Sequence, residues 1–225
     1  MQKSWRTHRT LRPDFEKQEP VVCPATRFFD QLSYIGDEIV GCFALETSDG
    51  IILIDCMNPD QRSIDLIEQG FRDLGLDIHQ LKAILITHGH GDHYLQDGEL
   101  LTFGDTQIKA VFTPGHSIGC FSFIILVTDE GRPHRMALWG GSGILPDSNV
   151  EDYYQSLLRF SHICDTLQVD GEIATHPVLD MGLQRLELVR NIVDGVPNPF
   201  VLGTEGYHYY EQQFFDKVTA ARLRG

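Results

Sequence analysis

The chain has 225 residues, 42% of them apolar, enough for one sizeable domain with its own core. A formal net charge of −14, from 18 basic and 32 acidic side chains, argues against nucleic acid or an anionic membrane as a partner. No apolar run is long enough to cross a bilayer, and Lys3, Arg6, Arg9 and Arg12 precede no apolar stretch of the secretory kind, so a cytoplasmic location is expected.

Residues 1–25 are polar and basic and read as an N-terminal arm, with one domain expected over 26–225. Strands are predicted at 39–45 and 51–54, joined by the turn signal Thr47-Ser48-Asp49-Gly50. Asn58-Pro59-Asp60 opens a helix on which Ile64, Ile67, Phe71 and Leu74 share a face. The apolar run 83–86 predicts a buried strand. Further on, 100–103 and 107–113 predict a hairpin about Gly104-Asp105, and 121–127 and 136–139 another about 129–131. A helix is expected from Val150 to near Thr166 with Tyr154, Leu157, Leu158 and Ile163 inward. A short strand at 172–175 precedes two helices near 181–194 and 207–222. That order suits layered α/β packing rather than a doubly wound parallel sheet.

The five cysteines (Cys23, Cys42, Cys56, Cys120 and Cys164) are odd in number, widely spaced and lack C-x-x-C, so reduced, packed thiols are expected.

Directly after the apolar run at 83–86, residues 87–93 read Thr-His-Gly-His-Gly-Asp-His. His88, His90, Asp92 and His93 offer imidazole and carboxylate, ligands that suit a borderline-soft divalent ion such as zinc. Gly89 and Gly91 let the backbone turn and gather those side chains. A solvated loop that is rich in histidine by accident is the bland alternative. Two more histidines follow predicted strands: His116 after Thr113-Pro114-Gly115, and His176 before Pro177. A metal site has to collect ligands from separate strand ends, so the three stretches support one another.

In these motifs (H-x-H-x-D-H at 88–93, Thr-Pro-Gly-His-Ser at 113–117 and Ala-Thr-His-Pro at 174–177) the chain resembles the metallo-β-lactamase-fold hydrolases. The hairpin leading to Leu53-Ile54-Asp55 is also similar to that family's opening. The resemblance implies an αββα sandwich with metals at one edge. It implies His88, His90 and His116 on a first zinc ion and Asp92, His93 and His176 on a second, where iron or manganese are alternatives. The family's usual bridging aspartate is replaced by Gly140-Gly141-Ser142-Gly143, as in the β-lactamase subclass whose second metal takes Asp-His-His.

The spacing departs from the family between residues 94 and 100, where Tyr94-Leu95-Gln96 runs almost straight into the next hairpin, so one flank of the sandwich is expected to be truncated. The function implied is a zinc-dependent hydrolase in which hydroxide bridging the metals attacks the carbonyl of a small-molecule substrate: a β-lactam, lactone, thioester or other ester. Asp92 is expected to orient that hydroxide as well as to bind metal. A non-catalytic metal-binding relative and a mononuclear iron dioxygenase of the same fold remain as alternatives, and a homo-oligomer is left open.

Overall fold

The structure is a computed structural model that describes residues 19–88, 96–193 and 195–224. Chain contacts divide it into two compact units, each built on its own five-stranded sheet.

The first unit carries β1 (Val22–Arg27), β2 (Leu32–Asp37), β3 (Gly41–Thr47), β4 (Gly50–Ile54) and β5 (Leu81–Leu85), hydrogen-bonded in that order. β1 and β2, and β2 and β3, pair antiparallel, while β4 pairs parallel with β5. A parallel pair needs a crossover, and α1 (Gln61–Leu74) supplies it. Asp60 caps the start of α1 by accepting from Ser63 N at 2.8 Å, and Gly75, at φ 69°, ends it in the left-handed conformation. Phe71 is buried with Ile35, Cys42, Ala44, Ile51 and Leu53, and Ile67 and Leu74 pack against that cluster.

Three expectations change here. Ile64, placed inward by periodicity, is 51% exposed, and the buried face of α1 runs instead through Ser63, Gly70 and Phe71. Gly70 allows the close approach, because a Cβ there would lie 2.5 Å from Ile35 Cγ2. β5 is an edge strand with Ile84 49% exposed, so only its last residue, Leu85, is buried as the apolar run had suggested. Residues 22–27, inside or bordering the lead-in expected to be irregular, form β1.

The second unit carries β6 (Leu100–Phe103), β7 (Thr106–Phe112), β8 (Phe121–Asp129), β9 (Arg132–Leu138) and β10 (Gly171–Ile173). β6 to β9 form an antiparallel meander, and β10 adds parallel to β9 after the crossover helix α2 (Val150–Leu167). Of the stretch expected to be shortened, residues 96–99 form a turn, closed by Gln96 N donating to Glu99 Oε2 at 2.9 Å, that leads directly into β6. Residues 94 and 95 lie outside the described residues.

α2 is capped by Asn149, whose side-chain oxygen accepts from Glu151 N and Asp152 N. Its core face is Tyr153, Leu157, Phe160 and Cys164, a spacing of four, three and four. Tyr154 and Ile163 pack at the margin of that face, but Leu158 is 40% exposed, so the stripe is rotated from the one expected. The same cluster takes Val111, Ile124, Ala137 and Trp139 from the sheet, and Tyr207, Phe214 and Val218 from α4 (Gly203–Arg222). In the first unit a further helix, α3 (Gly182–Arg190), follows the strand exit that bears His176. No described helix is long and apolar enough to cross a membrane. All five cysteines are free, and burial pushes the thiols of Cys42, Cys120 and Cys164 up, away from the reactive thiolate form.

The rotated stripe has a direct test. Phe160→Ala should lower unfolding free energy by about 3–5 kcal/mol, whereas Leu158→Ala should change it by no more than about 0.5 kcal/mol; denaturant titration distinguishes the two. A second test concerns Glu211, buried on α4 beside Tyr207, His208 and Ser161. Burial pushes its carboxyl above the ordinary glutamate range, outweighing the opposite pull of Ser161 and His208. The native state therefore holds that proton more tightly than the unfolded chain does. Its stabilisation is full below the ordinary range and is lost as pH rises through the raised one. Thermal unfolding between about pH 4 and pH 8 should show this decline in the parent protein and a flatter profile in Glu211→Gln.

Candidate metal centre

His88 stands three residues beyond the end of β5. The preceding Thr87 is buried and fixed, its carbonyl accepting from Phe121 N at 2.8 Å. Its hydroxyl lies 2.9 Å from His88 Nδ1.

His116 sits in the turn after β7, and that turn is bound tightly to α2. Pro114 O accepts from Ser156 Oγ at 2.7 Å, Gly115 O from Asn149 N at 2.8 Å, and His116 O from Ser148 Oγ at 3.2 Å. Gly115 is required by both backbone and space: its φ is 137°, and a Cβ would lie 2.3 Å from the backbone of Tyr153.

The Gly140-Gly141-Ser142-Gly143 loop, which occupies the place of the expected bridging aspartate, wraps the other side of His116. His116 Nδ1 lies 2.7 Å from Gly143 O. A carbonyl oxygen can only accept, so Nδ1 carries the proton and Nε2 keeps its lone pair for a ligand. Gly141, at φ 71°, has no room for a side chain, because a Cβ would meet His116 Cβ at 2.5 Å and its ring at 2.7–2.8 Å. The loop is itself tied down. Gly140 N donates to Ser122 Oγ at 3.0 Å, and Tyr153 Oη donates to Ser142 O at 3.2 Å while accepting from Trp139 Nε1 at 3.0 Å. Burial pushes the Tyr153 hydroxyl up, which keeps it a donor.

The structure brings His88 and His116 together, with ring centroids 5.3 Å apart and planes at 85°. Two imidazoles on one tetrahedral zinc, with metal–nitrogen bonds of about 2.0–2.1 Å, would place their ring centres about 5 Å apart. The separation of the pair matches that spacing.

His176 belongs to the other unit and is held in the same manner there. Its Nδ1 lies 3.0 Å from Ile39 O, again a pure acceptor, so Nε2 is the free nitrogen. Each of the three described motif histidines thus has Nδ1 beside an oxygen: a carbonyl, which sets the tautomer, at His116 and His176, and the Thr87 hydroxyl, which can donate or accept, at His88. His90, Asp92 and His93 lie outside the described residues, and among the described residues no group of three or more ligand side chains converges.

Sequence reasoning did not anticipate Thr87, the carbonyls of Gly143 and Ile39, or the Trp139–Tyr153 pair as supports. A carbonyl acceptor leaves no mark in sequence, although the glycine-rich run at 140–143 is one signal that the backbone approaches something closely. Ser117 and Ser142, the serines of these two turns, have structural partners: Ser117 Oγ lies 3.1 Å from Cys120 Sγ, and Ser142 contributes its carbonyl to Tyr153. Of the histidines outside the motifs, His134 pairs with Asp170 at 2.7 Å, and His208 lies between Asp165 and Glu211.

Comparison with known proteins gives similarities in sequence and in fold. Residues 35–111 match the model of the metallo-β-lactamase superfamily. A hydroxyacylglutathione hydrolase from Francisella philomiragia is 26% identical over 174 residues, 60% of this chain and 60% of that protein. The chain thus spans less than two thirds of the curated relative's length. Among solved structures, the native FEZ-1 metallo-β-lactamase from Legionella gormanii superposes with TM-score 0.78 at 20% identity, covering 92% of this chain and 98% of that one. The class B3 di-zinc metallo-β-lactamase LRA-12 from an Alaskan soil metagenome gives 0.72 at 18% identity, covering 89% and 94%. The metallo-β-lactamase fold expected from the sequence is the fold observed.

Gly141→Ala should push His116 from its place against Gly143 and add left-handed strain of roughly 1–2 kcal/mol. Zinc competition titration should show weaker metal binding in this variant, while circular dichroism keeps the parent spectrum.

Proposed function

Because this chain carries the metallo-β-lactamase fold, we propose that it is a metal-dependent hydrolase. Its substrate class is a small molecule with an electrophilic carbonyl: a β-lactam, lactone, thioester or other ester. One observation carries the reading: His116 Nδ1 is engaged by Gly143 O, which leaves Nε2 as the nitrogen available to a ligand, and the His88 ring is 5.3 Å away. In this reading His88, His90 and His116 hold one zinc ion, and Asp92, His93 and His176 hold a second. Iron or manganese compete for the second position.

Bound there, divalent cations polarise a carbonyl oxygen and lower the pKa of water towards about 7. The chain's own contribution is preorganisation. Imidazoles anchored at Nδ1 cannot swing away from the ion, so little reorganisation accompanies reaction. Three protein ligands per ion leave a position for water or substrate, unlike the closed four-ligand sites that serve structure alone. To Asp92 we assign a second task, accepting a hydrogen bond from the attacking water and fixing its direction. The names of the relatives, hydroxyacylglutathione hydrolase and metallo-β-lactamase, are both names of hydrolases, which supports the reaction class.

The test is a hydrolysis panel run on chelator-stripped and zinc-reconstituted protein, with a β-lactam, a lactone, a glutathione thioester and a phosphodiester. Turnover of at least one carbonyl substrate is expected, lost on stripping and restored by zinc. His116→Ala should lower kcat/KM by at least about two orders of magnitude. Zinc-loaded protein that turns over no carbonyl substrate contradicts the proposal.

A further inference from the structure

The chain spends an unusual amount of buried charge on the segment that carries His176. Among the buried carboxyl groups of the first unit, Asp37 at 1% exposure and Asp180 at 3% are the two that bear on this segment, and neither belongs to the ligand motifs. Each works on a different side of the same imidazole.

Asp180 acts on the segment itself. Its Oδ1 accepts from Gly182 N at 2.9 Å, and burial pushes the carboxyl up to about 7 against the pull of the Arg185 charge and of the backbone N–H groups of Gly182 and Ala174. Ala174 leaves β10 and Gly182 begins α3, so one carboxylate joins the two ends of the loop that has His176 within it. Gly182 N also reaches Pro177 O at 2.8 Å, and Leu179 N reaches His176 O at 3.0 Å, which closes the loop on itself. Arg185 on α3 supplies an opposing positive charge.

Asp37 acts on the partner of the imidazole. Its Oδ1 accepts from Ile39 N at 2.7 Å and Val40 N at 2.9 Å, and its Oδ2 is paired with Arg62 of α1 at 2.7 Å. Tyr34 Oη donates to Asp37 O at 2.8 Å, and Asp37 N donates to Val40 O at 2.9 Å. The turn so fixed meets the His176 segment twice. Gly41 N donates to Thr175 O at 2.8 Å, and Ile39 O receives the proton of His176 Nδ1. Gly41 has no freedom to change, because a Cβ there would lie 2.3 Å from the Tyr34 ring.

We propose that Asp37 and Asp180 are positioning residues for His176, Asp180 holding the loop that bears the imidazole and Asp37 holding the carbonyl that sets its angle. Burying two carboxylates is costly unless every oxygen is satisfied, and here that cost holds one side chain in register. The inference rests on the reading of His176 as a metal ligand.

The test is zinc competition titration of the full chain against a chromophoric chelator, resolving two sites. His176→Ala should lose the weaker of the two zinc ions. Asp180→Ala should weaken that same site by about 10–100-fold and leave the other unchanged. Asp180→Asn, which keeps one acceptor oxygen, should fall between the alanine variant and the parent. In the His176→Ala background Asp180→Ala should have no further effect on zinc binding.

Parent affinity at both sites in Asp180→Ala overturns the proposal. So does an equal loss at both sites, which would mark a general effect on folding. If Asp180→Ala does not fold, Asp180→Asn and Asp37→Asn decide, and parent affinity at the weaker site in both overturns it. If His176→Ala itself keeps both zinc ions, the ligand reading fails, a result distinct from failure of the two carboxylates to support it.

Discussion

The direction in which an imidazole nitrogen can donate constrains the rest of the site. A carbonyl oxygen takes a proton and never gives one, so Gly143 O and Ile39 O oblige Nδ1 of His116 and His176 to be the protonated nitrogens. In the neutral ring Nε2 is then the atom that keeps a lone pair, the form in which histidine binds a metal. Two glycine-bearing backbone segments, 140–143 and 37–41, present those two carbonyls. Neither can accept a side chain at its closest approach, Gly141 against His116 and Gly41 against Tyr34.

Both units apply the same construction. In each sheet a parallel pair is made by a helical crossover, β4–α1–β5 and β9–α2–β10, and the histidine motifs follow strand ends. α2 does more than cover its sheet. Asn149, Ser148 and Ser156 hold the His116 turn, and Tyr153 holds the loop on its other side, so one helix fixes an imidazole from two directions. α1 does the equivalent at longer range, since Arg62 neutralises the carboxylate that shapes the turn receiving His176. Core packing and site geometry therefore share residues: Tyr153 is both a member of the aromatic cluster with Trp139 and Phe160 and a hydrogen-bond donor to the His116 loop.

Much of this was legible in the sequence because the signals were short-range. The hairpin at Asp49-Gly50, the capping of α1 by Asp60 and the strand–turn–His pattern at 113–116 each depend on a few adjacent residues, and the structure has them. Errors arose where tertiary packing decides. Ile64 and Leu158 fit an apolar stripe by spacing, yet the sheet each helix faces selects a stripe beginning one residue away, at Ser63 and at Tyr153–Leu157. The run 83–86 is apolar enough for a central strand, but among the described residues no sixth strand joins that sheet and Ile84 remains half exposed. β1 and β2 gave no alternating pattern to read, and they are held by pairing with β3 and by the contacts of α1.

The supports of the site were invisible for a different reason. Thr87 was on the page as the first residue of the heptapeptide, but nothing in its neighbours distinguished a hydroxyl aimed at His88 from an ordinary strand-end threonine. Asp37 and Asp180 belong to no motif, and sequence does not report burial of a carboxylate. The central claim is that His88 and His116 share one metal ion through nitrogens left free by their anchored partners. Anomalous diffraction at the zinc edge from crystals of the zinc-loaded chain tests it most directly. A strong peak within bonding distance of both imidazoles is predicted; zinc-loaded crystals with no peak between those two rings would contradict it.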